Sequence, residues 1–316
     1  MGPADSGGAV RQWLGLLGVL AALAVGFGLL TDHFLAWPTA RALANQAPDG
    51  LLVATGMTVV IVTGGIDLSA GSVLALSGAV FGVLVASAGL PVPIGILGAL
   101  ATGLACGFVN GAITVRWQLP SFLVTLAMLE MARGATYLVT SSQTIYLGPA
   151  VDALSRGLVA GLGGAVILAA IIVLFGEVML RHSIFGRHLL AVGSNAESAR
   201  LAGLSPGRVR IAAFTIGGGL AGLAAVVQAG RLAAVDPNAG AGLELDAIAA
   251  VVIGGTSLAG GRGSVVASAL GALVILLLGA GLAQIGAQEP TRRLVTGAVI
   301  VAAAILDHYR VGRAGH

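Results

Sequence analysis

The residues able to do chemistry in this 316-residue chain are few and widely spaced. Asp67 is the one acid between positions 50 and 129, and it sits in a glycine-rich break, Gly64-Gly65-Ile66-Asp67, between two apolar runs. A carboxylate there either accepts from the free backbone N–H groups that open the next helix, from Gly71 onward, or meets a substrate; capping is the simpler account. Glu130 and Arg133 stand three residues apart in the run 120–139. That spacing puts them on one helix face, where they can neutralise each other as a structural pair or form a polar element of a conduit. Glu177 and Arg181 repeat the theme at i,i+4, at the end of a run, where an interfacial ion pair suffices. Asn110, Thr125, Gln228 and Gln284 interrupt apolar runs and could glue helices or line a pore.

Catalysis finds no support in these residues. The histidines His33, His182, His188, His308 and His316 fall between runs or at the tail, with no His-x-x-x-His or Glu-paired helical metal motif. No Gly-x-Ser-x-Gly elbow occurs beside a plausible base. Cys106, the single cysteine, excludes an internal disulfide and a cysteine zinc cage. All 16 basic residues are arginine. Without lysine the chain cannot run a Walker A ATPase or Schiff-base chemistry by itself, and no cofactor is expected. The net charge of +3 is spread too thinly to make a nucleic-acid face.

The elements that must position these residues follow from composition. Apolar residues make up 57% and charged residues 9%, against roughly 45–50% and 25% in soluble domains. So few charges cannot solvate an exterior in water, whereas a lipid-facing exterior needs none. The 50 glycines fit the same solvent. Membrane helices use small residues to bring backbones together, because lipid supplies no hydrophobic drive for association. Runs near the length of about 20 residues needed to span cover 13–30, 49–63, 71–88, 92–115, 120–139, 158–180, 209–230, 263–285 and 291–307, with a weaker one at 243–256 interrupted by Glu244 and Asp246. Pro38, Pro48, Pro91 with Pro93, Pro120, Pro149, Pro206, Pro237 and Pro290 are read as breakers between runs. The run 13–30 lacks a small-x-small cleavage site before Thr31 and is read as a retained first span. The expected fold class is an all-α polytopic membrane protein, one transmembrane domain over 1–316 with about ten transmembrane helices, nine if 243–256 is re-entrant.

Arginine placement orients the bundle. The stretch 181–210 carries Arg181, Arg187, Arg200, Arg208 and Arg210 against Glu197 alone, so it is expected in the cytoplasm. With ten spans, Arg11 and the tail bearing Arg310 and Arg313 then lie inside too, while 31–48 and 141–156 face out; Arg292 and Arg293 fit poorly, on the outer side. An internal echo accompanies this pattern. Gly64-Gly65-Ile66-Asp67-Leu68 before Gly71-Ser72 resembles Gly254-Gly255-Thr256-Ser257-Leu258 before Gly263-Ser264. Transporters are often built from such repeats, with broken helices near the substrate path. Transport then needs an energy source. An ion-coupled carrier needs intramembrane acids, for which Glu130 is the mid-span candidate; the alternative is a docking surface for an energy-supplying partner. The 181–210 stretch suits that role, with a short helix over Ala196–Leu204 capped by Asn195 and closed near Gly203.

At these residues the chain resembles a known family. Thr63-Gly64-Gly65-Ile66-Asp67-Leu68-Ser69-Ala70-Gly71-Ser72 resembles the signature of sugar permeases of bacterial ABC importers, of the ribose and autoinducer-2 type within the branched-chain amino acid permease superfamily. Gly186-Arg187 through Val192-Gly193-Ser194-Asn195, then Glu197-Ser198-Ala199 and Gly203, is similar to the family's cytoplasmic loop with its Glu-Ala-Ala-x-x-x-Gly pattern; serine stands at the middle position here. Val252-Ile253-Gly254-Gly255-Thr256-Ser257 with Gly260-Gly261-Arg262-Gly263, and Leu119-Pro120-Ser121-Phe122, extend the likeness over about 50–265. The resemblance implies a type II ABC importer-like bundle in the bacterial inner membrane, moving a monosaccharide or small polyol by alternating access. It implies a separate cytoplasmic ATP-binding subunit docked on the 190–206 loop, within a coupling loop of 181–208. Asn195, Glu197, Ser198, Ala199, Leu201 and Gly203 would form that surface. It also implies a periplasmic sugar-binding protein and a second permease copy, the same or paired. Gly64, Gly65, Asp67, Asn110, Thr125, Glu130, Gly254 and Gly255 are the expected gate and pathway residues. A branched-chain amino acid permease and an ion-coupled secondary carrier are the rival readings.

Overall fold

The computed structural model describes residues 6–151, 157–159 and 161–313. Twelve α-helices are described: α1 Ser6–Leu30, α2 Trp37–Ile61, α3 Ala70–Gly82, α4 Val92–Arg116, α5 Ser121–Thr140, α6 Gly164–His182, α7 Ile184–Ser194, α8 Ala196–Leu201, α9 Pro206–Leu232, α10 Leu243–Ile253, α11 Val265–Gln284 and α12 Glu289–Arg313. Helix α3 runs on through a π turn, Val83–Ser87. Among the described residues, strands are confined to two short antiparallel pairs. Ile145–Tyr146 (β1) pairs with Ala234–Val235 (β4), and Gly157–Val159 (β2) with Leu162–Gly163 (β3). Seven of the described helices are long and apolar enough to cross a membrane: α1, α3 with its π turn, α4, α5, α6, α9 and α11. The chain is therefore an all-α polytopic membrane protein.

Glycine explains how these helices pack. On α4, Gly95, Ala99, Gly103, Gly107 and Gly111 recur every fourth residue, and all are buried. Four-residue spacing keeps them on one face; from Ala99 on that face meets α9, while Gly95 meets Phe81 and Val85. A Cβ on Gly218 of α9 would lie 2.9 Å from the Gly107 Cα, and one on Gly111 would lie 2.8 Å from the Ile211 Cα. The other flank of α9 meets α2 the same way, where a Cβ on Gly56 would lie 3.0 Å from the Gly217 Cα. Backbones this close replace hydrophobic drive with dense van der Waals contact. Helix α9 is thus the post against which α2, α3 and α4 stand, with Phe214 and Leu52 fully buried around it.

Several expected boundaries move. Helix α2 begins at Trp37, not near 49, so the connection before it shrinks to 31–36 and Pro48 lies inside the helix rather than between runs. Proline's fixed φ suits a helix; its cost is the absent N–H, which leaves the carbonyl of Ala44 without its helical donor. Membrane helices tolerate this where neighbours pack around the gap, and Ala47, Pro48 and Asp49 are buried. The expected run 158–180 opens instead as the β2–β3 hairpin, Asn45 Oδ1 accepting from Gly163 N at 2.8 Å before α6 starts. The 181–210 stretch is not a loop but the end of α6, the helix pair α7–α8 and the start of α9. Helix α10, at 11 residues, reaches about 16 Å, roughly half a bilayer core.

Candidate functional site: two glycine breaks joined at a helix pair

The first break lies between α2 and α3. Helix α2 ends with Gly64 in the left-handed region (φ 79°). Gly64 N donates to Ile61 O and Gly65 N to Val60 O, the paired bonds of a glycine C-cap. The four residues that follow are clamped by α4 and α5. Ile66 N donates to Ser121 Oγ at 2.9 Å, Leu68 N to Thr125 Oγ1 at 3.0 Å, and Asn110 Nδ2 to Ser69 Oγ at 2.9 Å. Asp67 does not cap from the first turn of α3, as expected from the sequence. Its Oδ1 accepts from Ser69 N at 2.8 Å and Ser69 Oγ at 2.6 Å, two residues away. The carboxylate therefore shapes the turn that delivers Ser69 to the helix start, and it is buried there.

The second break repeats the device. Helix α10 ends with Gly255 in the left-handed region (φ 73°), Gly255 N donating to Val252 O and Thr256 N to Val251 O. The structural counterpart of Gly64 is thus Gly255, one position on from the match with Gly254 that the sequence echo suggests. The following helix, α11, is capped by Ser264 Oγ, which accepts from Ala267 N at 3.1 Å.

The two breaks meet. Gly261 N donates to Val62 O at 2.9 Å, and a Cβ on Gly260 would lie 2.8 Å from Gly64 N and 3.0 Å from Gly193 O. Gly193, near the end of α7, fills the remaining space; a Cβ on it would lie 2.6 Å from Gly261 N and would strike the Val62 carbonyl. Three segments distant in sequence therefore meet backbone to backbone, with Val62, Val192 and Val265 packed in one cluster beside the contact. The helix pair hangs from this contact. Asn195 Oδ1 caps α8 by accepting from Ser198 N at 2.8 Å, as the sequence leads one to expect. The helix is shorter than expected, Ala196–Leu201, and closes at Gly203 (φ 83°) with Leu204 N donating to Ala199 O. Ala199 is the buried anchor, while Glu197 and Ser198 are exposed and Leu201 is 79% exposed. Glu197 is engaged by Arg200 on the same helix, Oε1 to Nη2 at 2.6 Å, an exposed pair that holds little energy.

A further set of contacts escaped the sequence reading. Glu177 forms the expected pair with Arg181 but is buried, and it also accepts from Val266 N at 3.0 Å and from Ser264 Oγ at 3.0 Å. The carboxylate therefore sits on the N-terminus of α11, where unpaired N–H groups and the helix dipole favour negative charge. Arg181 in turn stacks on Trp13, 5.5 Å from the ring centroid, and Gln12 Nε2 donates to Gly254 O. Helices α1 and α6 thus grip the second break from outside. No short-range motif joins Gln12, Glu177 and Ser264, so spacing could not reveal them.

Glu130 and Arg133 are not paired. Among the described residues Glu130 is in no ion pair and is exposed, whereas Arg133 Nη1 donates to Pro237 O at 2.8 Å and Ala239 O at 2.9 Å. Two carbonyls of the loop before α10 compete better for the guanidinium than a carboxylate turned away from the bundle. Gln228 and Arg231 both bind Asp49 Oδ2, at 3.1 and 3.0 Å. Gln284 lies at the end of α11, exposed, near Thr31 and Thr39.

Residues 39–304 match the family described as "Branched-chain amino acid transport system / permease component". The ribose import permease RbsC of Escherichia coli strain K12 is 35% identical over 309 residues, covering 94% of this chain and 95% of that one. The fructose import permease FrcC of Rhizobium meliloti is 32% identical over 303 residues, covering 92% and 83%. The L-arabinose ABC transporter permease AraH of Azospirillum brasilense is 32% identical over 319 residues, covering 98% and 92%. No solved structure matches the chain. With its glycine breaks, its helix pair and a match over most of its length, the chain belongs to this permease family: it is a permease subunit of an ABC importer, a transport component and not an enzyme.

Proposed function

We propose that this permease carries a monosaccharide of the pentose or hexose class, or a related small polyol, across the bacterial inner membrane by alternating access. The names of its relatives, for ribose, fructose and L-arabinose, support the substrate class. The observation that carries the mechanism is the meeting of both breaks on Gly193. A separate ATP-binding subunit docks on the 190–206 segment, with Asn195, Glu197, Ser198, Ala199, Leu201 and Gly203 forming or shaping the surface. Closure of two such subunits moves α7, and α7 moves both breaks. Gly64, Gly65, Asp67, Gly254 and Gly255 are then gate elements, with Asn110 and Thr125 fixing the first gate to α4 and α5. A periplasmic binding protein delivers the sugar, and a second permease copy completes the path, with Glu130 on a surface open to it.

The whole chain acts as one transmembrane domain. Ten spans are counted as α1–α6 and α9–α12, with α7–α8 in the cytoplasm between the sixth and seventh. Both termini are then cytoplasmic. Arg292 and Arg293 fall on the outer side in this reading, and both pair with Glu289, at 2.6 and 3.0 Å, which offsets their charge locally.

Reconstitution in proteoliposomes tests the proposal. Uptake of radiolabelled ribose, arabinose or fructose should require ATP, the ATPase chain and the binding protein. Uptake by this chain alone on an ion gradient, or ATP-driven uptake of leucine in place of any sugar, would overturn it.

A further inference from the structure

Helix α2 carries Gln46, a proline inside the helix at Pro48, and the buried Asp49 within four residues of one another. Around them lies a cavity of about 240 Å³ walled by α2, α9, α10 and α11. That is well beyond the space of about 10–15 Å³ that a single water needs. It shares Gln46, Asp246, Ile275 and Leu276 with a larger groove between α2 and α12, so it has a mouth. Its polar lining is Gln46, Asp49, Gln228, Arg231 and Asp246; the rest is aliphatic. None of these residues belongs to the glycine junction.

The lining is arranged to take hydroxyl groups. Asp49 is buried, and its Oδ2 is filled by Gln228 and Arg231. Its Oδ1 accepts only from Gly50 N, at 3.1 Å, among the described residues, which leaves acceptor capacity on that oxygen. Arg231 Nη2, at 3.0 Å from Asp49 Oδ2, holds the carboxylate in place, while its Nε is buried out of reach of the cavity. The Gln46 amide, on the mouth side, makes no hydrogen bond among the described residues and offers both donors and an acceptor. A bound cation would meet the Arg231 charge beside Asp49, and an anion would be repelled by Asp49 and Asp246. A neutral molecule dense in hydroxyls satisfies donor and acceptors together, and its apolar ring faces suit Ala247 and Leu276.

We propose that this cavity is a sugar subsite inside each permease protomer, distinct from any path between two copies, in which Asp49, held by Arg231, accepts from substrate hydroxyls while Gln46 donates to them. The proposal rests on the reading of this chain as a sugar permease. Gly50 keeps the wall open beside Asp49, since a Cβ there would meet nothing within 4 Å.

The test begins with the complex reconstituted with its ATPase and binding protein, to find which of ribose, arabinose and fructose it transports. In a Cys106→Ser background, Ala272→Cys on the cavity wall and Ser142→Cys far from it are then labelled with a small methanethiosulfonate, in the presence and absence of that sugar. The subsite predicts at least threefold slower labelling at position 272 with the transported sugar, no change at 142, and loss of the protection in Asp49→Asn and Gln46→Leu variants that still assemble with the ATPase. Unchanged labelling at 272 with the transported sugar, or protection that survives Asp49→Asn, overturns the subsite and leaves the transport reading intact. Transport of none of the sugars overturns the reading beneath it.

Discussion

Gly193→Ala is the sharpest perturbation the structure offers, because the three atoms nearest the added methyl group all belong to the backbone. The added Cβ would lie 2.6 Å from Gly261 N and would strike the Val62 carbonyl, the two atoms joined by the hydrogen bond that ties the breaks together. Neither atom can rotate away as a side chain would. Overpacking costs about 1–3 kcal/mol, and losing the Gly261–Val62 bond costs about 1 kcal/mol more. A penalty of about 2–4 kcal/mol on the joined arrangement is a factor of roughly 30 to 1,000 in its population. The surface offered by α8 is untouched, since its capping by Asn195 and its closure at Gly203 lie beyond the contact. The variant should therefore still capture its ATPase in a pull-down, while sugar uptake per ATP hydrolysed in proteoliposomes falls at least tenfold. Ser194→Ala, at an exposed neighbour, is the matched control. Wild-type stoichiometry in Gly193→Ala, at normal assembly, would refute the claim that force passes through this glycine.

Gly64→Ala places a side chain at φ 79° with only Ala259 O within 4 Å, at 3.7 Å, so its cost is backbone strain of about 1–2 kcal/mol; a fall of a few degrees in the melting temperature of the detergent-purified protein would check it, and no change would mean that this cap is not a fixed element. Glu177→Ala removes the acceptor for Ser264, Val266 and Arg181, and should destabilise by about 3–5 kcal/mol. Glu177→Gln keeps an acceptor and should lose less, so equal melting temperatures for the two variants would count against a carboxylate at the α11 terminus. Asn195→Ala deletes the cap of α8, worth about 0.5–2 kcal/mol. It should weaken ATPase binding by surface plasmon resonance by roughly 2- to 30-fold, and an unchanged affinity would show that α8 is held by its partner rather than by its cap.

Much of this was legible where chemistry is local. The two glycine breaks, the Asn195 cap, the closure near Gly203 and the apolar spans each depend on residues within a turn or two of one another, and period and residue type report such contacts directly. What was misread shares the opposite property. Glu130 and Arg133 have the spacing of an ion pair, yet Arg133 is claimed by Pro237 and Ala239, more than 100 positions away. Glu177 looked like one end of an interfacial pair because nothing near it in sequence announces Ser264, 87 positions on. Pro48 looked like a breaker because proline usually is one; its place inside α2 depends on neighbours that cover the gap. Charge pairing and helix interruption are decided by tertiary competitors, and a single sequence does not display them.

The composition of the junction bears on how the chain can do work. Long side chains would let α7 shift while the breaks stayed still, since rotamers absorb small displacements at little cost. Glycine leaves no such slack: Gly193, Gly260 and Gly261 bring main chain onto main chain, and each break is held from behind, the first by Ser121, Thr125 and Asn110, the second by Gln12 and Ser264. Packed interfaces of this kind change between discrete arrangements rather than deforming continuously. A displacement of α7 by a partner must then move both breaks or neither. On the proposed function, that requirement is met only if the two glycine motifs occur as a pair in one chain. It is also why, on that same proposal, a chain without lysine, and so without a Walker A site of its own, would join both of them to a helix pair with an exposed apolar tip at Leu201.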